Sequence, residues 1–294
     1  RPPPRGDGVS GAAAAISPIL AIALADFRER VRRYGFLLTL AFAAFLGFQA
    51  IDGTLVVALD DWRGVFNSAW AGGVMTLVAT SFLSLAGFYV IKNAVERDRE
   101  TGVGEILAAT PLGKPAYLLG KWLSNVAVLA AMLAILALAA GAMVLVRGES
   151  RQLEIGKILL PFAVVALPSM ALVGALALAF EILPGLRRTF GNVFYFFFWG
   201  MLLAAGTQNR AIDVMGLGRI ADSMMAAVRA IDPAYKNGLL IGAGRGEAGL
   251  KTFVWEGKDW TAADLAHAGL TFGLALGLTL VVAPAFRRFD PAAG

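Results

Sequence analysis

Long apolar runs separated by short charged stretches organise this sequence. Six runs have the length a helix needs to cross hydrocarbon, about 20 residues at roughly 1.5 Å rise each. They are 34–50, 71–91, 118–146, 158–183, 190–206 and 262–286. Strands of a membrane barrel would instead alternate polar and apolar positions over about ten residues. Segment 126–138 is apolar all round, so the pattern predicts helices. The expected fold class is an all-α polytopic membrane protein with six transmembrane helices.

Ahead of the first run the pattern changes. Ile16, Leu20, Leu24, Phe27 and Val31 recur at spacings of four, four, three and four, and Asp26, Arg28, Glu29, Arg30, Arg32 and Arg33 crowd the C-terminal half. This spacing predicts an amphipathic helix over 16–33, suited to the membrane interface. A signal peptide would place its charge before the apolar run and a small-residue cleavage site after it. Here arginines follow the run directly, which favours the interfacial helix. Residues 1–15 read as a disordered tail, with Pro and Gly crowding its start, and the absence of an initiator Met as a trimmed start.

Composition supports the membrane class. Of 294 residues, 58% are hydrophobic and 16% charged, against roughly 45–50% and 25% in a soluble domain. There is no cysteine and a single histidine, His267. A disulfide scaffold, a thiol nucleophile and a multi-histidine or thiolate metal centre are thereby excluded. No Gly-x-Ser-x-Gly or His-Glu-x-x-His occurs either, so nothing points to a hydrolase and no catalytic residue is assigned.

The net charge of +5 is a matter of topology. Thirteen Lys and Arg fall on one side: Arg28, Arg30, Arg32, Arg33, Lys92, Arg97, Arg99, Lys114, Lys121, Arg187, Arg188, Arg287 and Arg288. The opposite short loops hold only Arg63, Arg147, Arg151 and Lys157. Positive residues concentrate in cytoplasmic loops, so both termini are expected in the cytoplasm of a cell whose inner (plasma) membrane holds the chain. Nucleic acid is not an expected partner.

The segment 207–261 then forms the large outer element. Ile220, Met224, Val228 and Ile231 recur at helical spacing and predict a surface helix ended by Asp232-Pro233. Thr261 with Asp264 three residues later forms the pattern of a capping box at the start of the sixth span. A packed extracellular cover is the expected arrangement, with Trp255 and Trp260 near the span end and a ligand lid as the alternative.

The loop 92–117 between the second and third spans carries the functional signal. A charge run through Glu96, Arg97, Asp98, Arg99 and Glu100 breaks at Gly102 and Gly104, and a short helix from Glu105 to Ala109 stops at Pro111. Its apolar Ile106 and Leu107 have no core of their own in such a loop and need the membrane interface or a partner. A solvated charged face is the alternative for such a run.

The run Glu-Arg-x-x-Glu-Thr-Gly at 96–102, Glu-x-Leu at 105–107, Ala-Thr-Pro-Leu-Gly-Lys at 109–114 and Leu-Gly-Lys at 119–121 resembles the membrane (permease) subunit of type-2 ATP-binding-cassette transporters. The likeness extends to the interfacial helix, the six spans and the large outer segment. It implies that this loop docks on a separate ATPase subunit, with Arg97, Glu100, Thr101, Glu105 and Leu107 as the docking residues. It also implies export by a dimer, homo- or heteromeric, of two permease subunits.

The chain has no Gly-x-x-x-x-Gly-Lys-[Ser/Thr]: Lys114 is followed by Pro115 and Lys121 by Trp122. No cofactor is expected on this chain, and ATP and Mg are expected on the partner. Asn125, Glu181, Phe194 and Phe197 are the substrate-pathway candidates. Asn125 also fits an interhelix hydrogen bond, and the aromatic run at 194–199 also fits lipid-facing packing. Glu181 is an acid near the end of the fourth span and a functional candidate by default. An ion-coupled secondary transporter or channel using Glu181, or a structural membrane partner, are the alternatives.

Overall fold

The computed structural model describes residues 8–150, 152–187, 189–236, 238–243 and 249–286. Arg151, Arg188, Arg287, Arg288 and the tail residues 1–7 lie outside them. Among the described residues the chain opens with α1 (Gly8–Val31), so the first helix starts before position 16 and takes in part of the expected tail. α2 (Tyr34–Asp52) follows, and the short strands β1 (Leu55–Ala58) and β2 (Trp62–Gly64) form the connection to the second span. The second span is α3 (Ser68–Val78), a π-helical turn (Ala79–Leu83) and α4 (Ser84–Ile91).

Two short helices, α5 (Ala94–Glu100) and α6 (Val103–Ala108), make the next loop and lead to α7 (Lys114–Arg147), the third span. The fourth comprises α8 (Ile155–Pro161), a second π-helical turn (Phe162–Ala166) and α9 (Leu167–Ile182). α10 (Thr189–Gln208) is the fifth span. α11 (Leu217–Ile231), β3 (Leu240–Ala243) and β4 (Lys251–Phe253) build the long segment before α12 (Ala262–Val281), the sixth.

Among the described residues six helices are long and apolar enough to cross a membrane, and the molecule is an all-α polytopic fold. The fourth span is the most enclosed, with 83% of its apolar window buried, whereas the fifth shows 17%. The second and fourth therefore form the centre. α2, α10 and α12 stand outside with broad apolar faces, including Leu38, Phe197 and Leu270. Those faces suit lipid or another membrane chain rather than water.

Both central spans carry a π turn, and in each the sequence supplies a reason. In the fourth, Pro161 and Pro168 bracket the widened turn, and Pro168 has no N–H to give the carbonyl four residues back. Ser169 Oγ lies 2.8 Å from the Val165 carbonyl oxygen and 2.7 Å from that of Met215. In the second, Thr80 and Ser84 hydroxyls turn back onto the Thr76 and Thr80 carbonyls. α10 supplies the remaining donors. Trp199 Nε1 reaches the Ser81 carbonyl at 3.1 Å and Ser84 Oγ at 2.9 Å, and the Tyr195 hydroxyl donates to the Ser84 carbonyl at 2.9 Å. In a region without water these partners are what makes a distorted turn tolerable.

β3 pairs antiparallel with β1, and β4 pairs parallel with β2, so the segment between α10 and α12 is stitched through the backbone to the connection between α2 and α3. The strand pairs are absent from the sequence expectation, because runs of three or four residues in Gly-rich sequence carry no period. Trp70 packs edge-to-face with both Phe253 and Trp255, and Asn67 caps α3 while its amide donates to the Trp255 carbonyl. The predicted surface helix appears as α11, and the capping box of Thr261 and Asp264 is formed.

Candidate functional site

α1 turns its apolar stripe away from the protein and part of its polar face toward it. Leu20, Leu24 and Val31 of the apolar stripe point outward and are exposed, while Asp26 and Arg30 face the body of the protein and are buried. Phe27 is half-buried edge-to-face against Phe36. An outward apolar stripe is what a helix immersed in the membrane interface requires. The inward polar face then needs partners in the protein.

α7 provides them. A Cβ at Gly120 would lie 2.8 Å from Ile22 Cβ and 3.1 Å from the Ile19 carbonyl oxygen, so only glycine allows α1 to lie this close. At that separation Asp26 reaches Lys121 and Ser124, one residue and one turn further along. Lys121 Nζ donates to Asp26 Oδ1 at 2.6 Å and Ser124 Oγ to Asp26 Oδ2 at 2.5 Å. Arg30 Nε is 2.8 Å from Asp26 Oδ2. Burial alone would push the Asp26 carboxyl up, but Arg30 and Lys121 beside it, with hydrogen bonds from Lys121 and Ser124, hold it well below the usual carboxylate range.

The loop helix α5 plugs into the same cluster. Arg97 Nη2 donates to Asp26 Oδ1 at 2.8 Å, and Asp98 accepts from Lys121 Nζ at 2.7 Å and from the Tyr117 hydroxyl at 2.8 Å. Lys121 thus bridges one carboxylate on α1 and one on α5, with all three side chains enclosed. The start of α5 is held from a fourth element. Asn93 there adopts a left-handed conformation (φ 70°) and offers no side-chain cap. Glu181, near the end of α9, accepts instead from the Val95 and Glu96 backbone N–H groups, at 2.7 and 2.6 Å. A carboxylate at a helix N-terminus meets both the orphan donors and the positive end of the helix dipole.

The sequence candidates therefore separate into three groups. Arg97 sits inside the ionic cluster, committed to Asp26, and is a fastener of the loop rather than an open docking side chain. Glu100, Thr101 and Glu105 are exposed on the loop, with the Thr101 hydroxyl bonded to the Arg97 carbonyl. Leu107 lies on α6, and its side chain is outside the described residues.

The four pathway candidates are not brought together. Asn125 is fully buried between α7 and α9, its amide 3.4 Å from the Gly174 carbonyl oxygen, beside the Trp122 indole that donates to the Ala171 carbonyl at 2.9 Å. Glu181 is used as a cap, and Phe194 and Phe197 face outward on α10. The inward members of that aromatic run are Tyr195, which stacks on Phe88, and Trp199.

Asp26, Asp98 and Lys121 are the residues that sequence reasoning missed. Their signal was present: Lys121 is the eighth residue of a 34-residue helix and the one charge between its terminal Lys114 and Arg147, and such a charge requires a partner. Asp98 was hidden in a charge run that looks uniformly solvated. No family model matches the chain, and no curated protein matches it.

Proposed function

We propose that this chain is the membrane subunit of an ATP-driven transporter, an exporter that works as a dimer and takes its power from separate ATPase subunits docked on the α5–α6 loop. The termini and this loop are then cytoplasmic, and the β-stitched segment is the outer cover. The observation that carries the proposal is the anchoring of α5. Asp98 fixes it to α7, Arg97 to α1 and its N-terminus to Glu181 on α9. A force applied to the loop is thus delivered to two spans and the interfacial helix at once, while Glu100, Thr101 and Glu105 stay exposed for a partner. Nucleotide binding on the partner would bias one arrangement of the loop, and the spans would follow.

Glu181 spends Oε1 on two backbone donors of α5, the work of a structural cap, while its Oε2 is buried with no hydrogen-bond partner.

The test is purification in mild detergent with identification of the associated chains. An ATPase is expected to copurify, and Glu100→Arg or Leu107→Asp is expected to release it while the membrane chain stays folded. Transport that follows an ion gradient without ATP, with no ATPase attached, would overturn the proposal.

A further inference from the structure

A cavity of about 290 Å³ opens where α1 turns into α2, lined by Arg30, Arg33, Gly35, Phe36, Leu38, Thr39, Val90, Arg97 and Val128. Its charged lining is three arginines and no acid. Arg33 pairs with Glu29 and Arg97 with Asp26, each outside the lining. Arg30 Nε stands 2.8 Å from Asp26 Oδ2 as an ion pair, and neither Nε nor the buried Nη2 has a hydrogen-bond partner. Burial lowers the Arg30 pKa from its ordinary value even with Asp26 beside it, so the cation is under-compensated where it stands. A buried guanidinium nitrogen without an acceptor is costly, and an arriving anion would remove the cost.

The rest of the wall is apolar. Phe36 and Val128 lie inside, and Leu38 and Val90 are exposed at the rim. The location is equally specific. Tyr34 and Arg33 stand at the start of a spanning helix, and Leu20, Leu24 and Val31 of α1 point outward beside it. That is headgroup depth, where aromatic and basic residues mark the boundary of hydrocarbon. The volume sits at the small end of ligand pockets, which run from about 300 Å³. It holds a headgroup, not a whole lipid, and any attached chain must leave along the exposed apolar rim.

We propose that this cavity binds the phosphate of an anionic amphiphile, a phospholipid-type molecule whose headgroup is gripped by Arg30, Arg33 and Arg97 and whose chains lie against Leu38 and Val90. A zwitterionic headgroup is disfavoured, because its ammonium would be carried toward three guanidinium groups. The occupant would sit against both the α1–α2 junction and Arg97 of the loop helix, so its presence would stiffen the joint between them.

The test uses the full chain in detergent, titrated separately with short-chain phosphatidylglycerol, with phosphatidylcholine of the same chain length and with inorganic phosphate. Thermal unfolding and native mass spectrometry are the readouts. Phosphatidylglycerol is expected to be retained and to raise the unfolding temperature, whereas the other two do neither. Arg33→Gln is expected to weaken retention by about tenfold, the loss of one charge-assisted contact. Gly35→Phe leaves every arginine in place and should block entry, since a Cβ at Gly35 meets nothing within 4 Å and the added ring can turn into the cavity without disturbing the helix. Stabilisation by inorganic phosphate equal to that by phosphatidylglycerol would overturn the amphiphile and leave a free-anion site. Equal retention of both lipids, or retention unchanged in Arg33→Gln and Gly35→Phe, would overturn the site altogether.

Discussion

Replacing Lys121 by Met tests the ionic cluster most directly. Methionine keeps the length and apolar stem of lysine while removing the charge that bridges Asp26 and Asp98. The two carboxylates do not suffer equally. Asp26 keeps Arg30, Arg97 and Ser124, whereas Asp98 keeps only the Tyr117 hydroxyl at 2.8 Å, with its side chain 4% exposed. Removing one partner of a buried pair costs about 3–5 kcal/mol, because the remaining charge is stranded. Here nearly all of that falls on Asp98.

The double variant Lys121→Met with Asp98→Asn removes the stranded charge and leaves an oxygen for Tyr117. Its net cost should fall to that of ordinary hydrogen-bond losses, about 1–2 kcal/mol. Thermal unfolding in one detergent, followed by tryptophan fluorescence, should show the single variant lower by something on the order of 5–10 °C and the double variant recovering more than half of that. Equal melting of single and double variants would refute the assignment of Lys121 as the counter-charge of Asp98.

Other outcomes follow from the same geometry. Glu181→Ala strips the acceptor from the Val95 and Glu96 N–H groups and should raise hydrogen exchange in α5 by an amount matching about 1–3 kcal/mol, with α9 itself unchanged; equal protection of α5 in both proteins would count against the cap. Trp199→Phe removes the donor to Ser81 and Ser84 and should cost about 1–2 kcal/mol in unfolding, more than Phe198→Leu on the same helix, because a π-turn carbonyl loses its partner. Asp26 has a depressed folded pKa, so its contribution is fully present above the ordinary aspartate value of 3.8 and is lost only as pH falls below it. A melting curve measured from about pH 6 to about pH 3 should therefore weaken only toward the acid end on account of Asp26, and Asp26→Asn should flatten that limb.

Much of the architecture could be read from periodicity alone. The six spans, the helix at 217–231 and the capping box at Thr261 rest on local rules of length, spacing and side-chain reach, and local rules survive into the fold. Two features did not follow from local rules. The inward turn of Asp26 on α1 depends on a neighbour that answers it, and that neighbour is 95 residues away. The π turn of the second span depends on the Tyr195 hydroxyl and the Trp199 indole of a separate span, which no local rule supplies. In the candidate site, Arg97 is expected open for docking but is paired with Asp26, since a charge run shows nothing of which members turn inward. Glu181 stands out in the sequence as an acid near the end of a span, but its backbone partners belong to a loop 86 positions earlier.

The π turn at Ala79–Leu83 also sets the azimuth of everything that follows it in the second span. One residue of an α-helix corresponds to about 100° of rotation, and a π turn is one residue of extra winding. With it, Tyr89 and Lys92 at the far end of α4 face α10, where the Tyr89 hydroxyl donates to the Asn192 carbonyl and Lys92 Nζ to the Asn192 side chain at 2.6 Å. Deleting a single residue from that turn would restore a regular helix and swing this end by more than a quarter of a circle. Helix α5 begins two residues later, so its aim at Asp26, Lys121 and Glu181 is a matter of phase, fixed by a residue count midway through the span rather than at the loop itself.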